Sequence, residues 1–74
     1  MNILVLGSGG REHSICYELS KSKKIGNLFC APGNAGIALV SKIADINTKN
    51  FISISNFCKK NKIAMVIPGS EEYL

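Results

Sequence analysis

Four apolar runs of strand length set the limits on how this chain can fold: residues 2–6 (NILVL), 27–31 (NLFCA), 42–46 (KIADI) and 63–67 (IAMVI). The last is uniformly apolar, as a strand covered on both faces would be. Between the first two runs, Glu12, Ile15, Cys16 and Leu19 recur at i, i+3, i+4 and i+7, one face of a helix. That helix is expected to end in SKSKK, with Gly26 marking the turn beyond it. Residues 37–41 fit either a short helical turn or an irregular stretch. Phe51, Ile54, Phe57 and Cys58 again follow helical spacing, with Asn47 or Thr48 as the candidate N-cap. The stretch FISIS also alternates with period 2, but the capping residue before it and the lysines after it favour a helix. The order β-α-β-β-α-β, with helical crossovers between short apolar strands, predicts an α/β fold with a parallel sheet and right-handed connections.

With 74 residues there is room for one small domain, in which a hydrophobic core is marginal. A hydrophobic share of 46% and a charged share of 19% exclude a disordered chain. No apolar run approaches the roughly 20 residues of a membrane helix, and no signal peptide is evident. The net charge is +4, with lysines gathered at 21–24 and 59–62. Placed near helix ends, they answer the helix dipole. Without arginine or interleaved aromatics they do not make a nucleic-acid surface. Cys16, Cys30 and Cys58 are odd in number and lack C-x-x-C spacing, so they read as buried free thiols of a reducing, cytoplasmic compartment. One histidine and no close Cys/His spacing leave no metal site.

In a parallel sheet the carboxyl ends of the strands share one edge. The loops GSGGREH, APGNAG, DINT and PGSEEYL should therefore meet where open α/β sheets bind ligands. Glycines between a strand and a helix let backbone amides approach an anion, usually phosphate. Arg11 adds a possible bidentate grip. Gly7 and Gly9 fit the first two positions of the dinucleotide fingerprint G-x-G-x-x-G, but Glu12 stands at the third. The second strand also ends without the acid that binds ribose, so an NAD site is rejected. A P-loop fails for want of Lys-Ser/Thr after the glycines. Glu12 falls on the apolar helix face, where a carboxylate needs a partner: a local Arg or Lys, or a ligand hydroxyl or amine. His13 points away from that face and ranks second. Asn34, between two glycines, is placed to offer amide hydrogen bonds. Asp45, Glu71 and Glu72 are explained as capping or first-turn acids.

Taken together, GSGGREH, APGNAG and PGSEEYL resemble the N-terminal domain of phosphoribosylamine–glycine ligase, of the ATP-grasp superfamily. The third motif departs from the family's G-P-E-x-P-L: Gly69, Glu71 and Leu74 match, whereas Ser70 and Tyr73 replace prolines. The resemblance implies a Rossmann-like, pre-ATP-grasp parallel sheet. It also implies an enzyme of de novo purine biosynthesis that activates glycine with ATP for attack by 5-phosphoribosylamine. Carried over residue by residue, Gly9, Gly10, Arg11, Glu12 and Asn34 are the expected substrate-binding residues, with no catalytic residue in this segment. ATP and magnesium (or manganese) are expected on the ATP-grasp domain, which is absent along with the C-terminal domain. Residues 1–74 thus read as an incomplete N-terminal substrate-binding domain, inactive alone and prone to self-association through its truncated sheet. Its implied partners are 5-phosphoribosylamine and the missing domains. The competing readings are a stand-alone nucleotide or sugar-phosphate binding module and a remnant that binds nothing.

Overall fold

The strand nearest the N-terminus, β1 (Asn2–Gly7), lies inside the sheet rather than at its edge. The computed structural model describes residues 1–69, so expectations for Ser70, Glu71, Glu72, Tyr73 and Leu74 lie outside the described residues. The order along the chain is β1, α1 (Gly10–Ser20), β2 (Leu28–Pro32), a 3-10 turn (Ile37–Leu39), β3 (Lys42–Ile43), α2 (Phe51–Lys60) and β4 (Ile63–Pro68). The sheet runs β3-β2-β1-β4 and all of its pairings are parallel. This is the small α/β fold expected of the sequence.

Side chains alternate across a strand, so β1 supplies two cores at once. Ile3 and Val5 join Cys16, Leu28, Cys30 and Ile37 beneath α1 and the 3-10 turn. Leu4 and Leu6 join Ala31 and Ala44 on the other face, against Ile54, Phe57 and Cys58 of α2. Phe29 and Phe57 meet edge to face, centroids 5.0 Å apart, and tie α2 to the sheet. At the amino edge, Asn2 donates from Nδ2 to the Asn61 carbonyl and accepts at Oδ1 from the Asn27 amide. One side chain thus joins the starts of β2 and β4.

Four local expectations change. The third strand contracts from five residues to Lys42–Ile43, and Ala44 and Ile46 instead turn inward toward α2. Helix α1 ends at Ser20, so the lysines at 21–24 follow it rather than fill its last turn. Of these, Lys21 lies 3.6 Å from Glu18 and over the Tyr17 ring. β4 is an edge strand, and Met65 and Val66 are exposed although the run is wholly apolar. Finally, the cap of α2 is Asn50, whose Oδ1 accepts from the amides of Ile52 (2.9 Å) and Ser53 (3.2 Å). Asn47 is occupied earlier, accepting from the Lys49 amide in a turn of its own.

The cap gives a direct check. Asn50→Ala should lower stability by about 1 kcal/mol, whereas Thr48→Ala should change it by less than about 0.5 kcal/mol. Urea unfolding of the two variants measures the difference.

Candidate functional site

Gly9 occupies the N-cap of α1 and has no side chain with which to cap it. Glu12, in the first turn, takes over that role. Its Oε1 accepts from the amides of Ser8 (3.1 Å) and Gly9 (3.2 Å). Glu12 is only 6% exposed, and these bonds, with the positive end of the helix dipole, are what make its burial tolerable. The partner that Glu12 requires is therefore backbone, not a neighbouring cation. The Ser8 and Gly9 amides expected to face an external phosphate already carry an internal anion.

Room for Glu12 comes from two glycines far apart in sequence. A Cβ on Gly7, whose φ is +145°, would overlap the Glu12 side chain. One on Gly69 would lie 2.7 Å from Glu12 Cδ and 2.8 Å from the Leu6 carbonyl oxygen. Gly69 is held there because its amide donates to Leu6 (2.8 Å), and its carbonyl accepts from Arg11 Nη1 (3.3 Å). The loops after β1 and β4 are thus joined through Arg11 and Glu12.

The loop after β2 reaches the same place. Asn34 donates from Nδ2 to the Ser8 carbonyl (2.7 Å), and its Oδ1 accepts from Ile37 at the 3-10 turn (2.9 Å). The Gly33 amide donates to the Gly7 carbonyl (3.0 Å), which also accepts from the Cys30 thiol (3.4 Å). His13, half-buried, faces this loop: a Cβ on Gly36 would lie 2.9 Å from its Cε1. Gly9, Gly10, Arg11, Glu12 and Asn34 therefore gather at one edge. Glu12 and the Asn34 amide serve the loops themselves. Gly10 is different: nothing lies within 4 Å of a Cβ built on it, and Arg11 beside it is exposed. Their amides, in the first helical turn, have no intrahelical partners.

Beneath the loops, the two buried thiols carry raised pKa values. Burial, then neighbouring Cys16 and the Glu12 charge, push the Cys30 thiol up to about 12. Burial likewise raises Cys16. A separate cavity of about 230 Å³ sits at the opposite, amino edge, between Leu19, Ile25, Leu28 and Val40. Its Ser20, Ser41 and Lys42 side chains are already hydrogen-bonded within the protein. Among the described residues no three His, Cys, Asp or Glu side chains stand together as a metal site, and no helix is long and apolar enough to cross a membrane.

A parallel α/β sheet with a glycine-rich strand-to-helix loop at its carboxyl edge defines a broad class of ligand-binding folds. Comparison with known proteins narrows it: the chain belongs to the family described as phosphoribosylglycinamide synthetase, N domain, whose model matches residues 1–74. It is 43% identical over 77 residues to a trifunctional purine biosynthetic protein, adenosine-3, of Drosophila melanogaster, covering 97% of this chain and 6% of that protein. It is 42% identical over 74 residues to the phosphoribosylamine–glycine ligase of Fusobacterium nucleatum, covering all of this chain and 17% of that enzyme. The corresponding enzyme of Rhizobium meliloti is 39% identical over 71 residues, covering 96% and 17%. The chain thus spans a small part of the length of these relatives.

Reading from sequence missed Gly7 and Gly69 as the walls of the Glu12 pocket. A carboxylate on an apolar helix face was the available signal, but its glycine neighbours come together only when β1 and β4 pair.

Two outcomes follow. Gly10→Ala should leave stability unchanged or raise it by up to about 1 kcal/mol. Gly69→Ala should cost about 1–3 kcal/mol, and less in a Glu12→Ala background, where the Glu12 side chain no longer crowds the new methyl. Denaturant unfolding of the four chains reads this coupling. The thiols give a pH dependence. Folded Cys30 holds its proton above the ordinary value of 9.0, so the native state binds more protons than the unfolded one as pH rises from 9.0 toward 12. Stability should fall across that window, and less so in Cys30→Ala, as followed by thermal melts against pH.

Proposed function

We propose that the chain serves as the amino-terminal part of a ligase that joins glycine to 5-phosphoribosylamine with ATP, in purine biosynthesis, and that it contributes part of the phosphoribosylamine site. The family and the names of its relatives support this reading. The observation that carries the site assignment is the open turn at Gly10 and Arg11, beside the loops that Asn34 and Gly69 hold in place. A phosphate there would accept from the first-turn amides, and the Arg11 guanidinium, with one Nη1 bond to Gly69, keeps donors for it. Gly9, Glu12 and Asn34 act in this reading by shaping and holding the loops around the ligand.

In such a ligase ATP converts the glycine carboxylate to an acyl phosphate. The phosphoribosylamine nitrogen then attacks that carbon, forming the amide and releasing phosphate. In this reading this segment's part is to bind and orient the amine. In the same reading ATP and its metal are held by other parts of such a ligase.

Steady-state kinetics on the complete polypeptide test the assignment. Arg11→Ala should raise KM for phosphoribosylamine about tenfold or more while leaving the KM values for ATP and glycine near wild type. Gly10→Ala should also raise it, through crowding of the ligand alone. Unchanged values for phosphoribosylamine in both variants would remove the site from this edge.

A further inference from the structure

We infer that Glu12 is a built-in anion that closes the phosphate cradle of the first loop, making it a specificity-determining residue. Glu12 stands at the position of the third glycine in a dinucleotide fingerprint whose first two glycines, Gly7 and Gly9, are present. In that fingerprint the loop amides receive a pyrophosphate. Here the Ser8 and Gly9 amides donate to Glu12 Oε1 at 3.1 and 3.2 Å instead. The geometry around the side chain is made for this purpose. Gly7 and Gly69 each leave out the Cβ that would collide with it, and Arg11 fastens Gly69 over it.

A pyrophosphate entering this loop would have to displace the carboxylate of buried Glu12, whose Oε1 accepts two hydrogen bonds, or sit beside its negative charge. Both are costly. The first loop therefore keeps the glycine spacing of a nucleotide-binding turn and refuses nucleotides. A monophosphate ligand is left with the next amides along, at Gly10 and Arg11. The exclusion at Ser8 and Gly9 stands whether or not phosphoribosylamine is the natural ligand.

The test is amide-resolved NMR on the 74-residue chain, with inorganic pyrophosphate as the probe. In the wild type, the Ser8 and Gly9 resonances should not move. In Glu12→Ala they should move saturably as pyrophosphate is added. Movement in the wild type, or none in a folded Glu12→Ala chain, overturns the inference. Should that variant not fold, hydrogen exchange decides. The Ser8 and Gly9 amides should exchange slowly in the wild type and in Glu12→Gln, which keeps an acceptor oxygen. If they exchange as fast as the Gly10 amide, Glu12 does not hold them and the inference fails. Loss of phosphoribosylamine dependence is read separately, at Arg11.

Discussion

The bond pair from the Ser8 and Gly9 amides to Glu12 Oε1 is the constraint around which the carboxyl edge is arranged. A buried carboxylate at a helix start must be met by donors, and the strand-to-helix loop supplies them from its own backbone. Everything adjacent then has to yield space. Gly7 takes a conformation that side chains rarely adopt, and Gly69 brings β4 close enough to roof the same carboxylate. The loop after β1 and the position of Gly69 are thus shaped by one side chain, and Asn34 brings in the loop after β2 with a single bond to Ser8. Residues that look like ligand contacts in sequence are, in large part, the means by which three loops hold one another.

The sheet beneath makes this possible because β1 is central. Its odd residues pack under α1 and its even residues under α2, so its end is fixed from both faces. Each of its neighbours ends at the same rim: Leu6 pairs with Ala31 on one side and Pro68 on the other. Rigid strand ends then present flexible chemistry at a defined place, the arrangement that suits a binding edge.

Much of this was legible in the sequence, in proportion to how local the cause was. The four strands, the apolar face of α1 and the meeting of the glycine loops follow from periodicity and parallel topology. The N-cap of α2 did not, because NTKN offers several residues able to cap. Asn47 is drawn into a turn with Lys49, leaving Asn50 to bond Ile52 and Ser53. The exposure of Met65 and Val66 was equally hidden, since an apolar run does not state whether its strand is interior or at an edge. The partner of Glu12 was legible only as a need. That the need is met by Ser8 and Gly9, with Gly69 as a wall, depends on contacts between the two ends of the chain.

The parallel register carries a kinetic consequence. Ile3 pairs with Leu28 and also with Met65, and among the described residues no two strands are joined by a hairpin. Among the described strands, loop closure must therefore precede every ladder. The shortest loop to close lies between β2 and β3, where Phe29 pairs with Lys42. The Glu12 pocket reaches its final form only once β4 has docked on β1 and set Gly69 against Glu12.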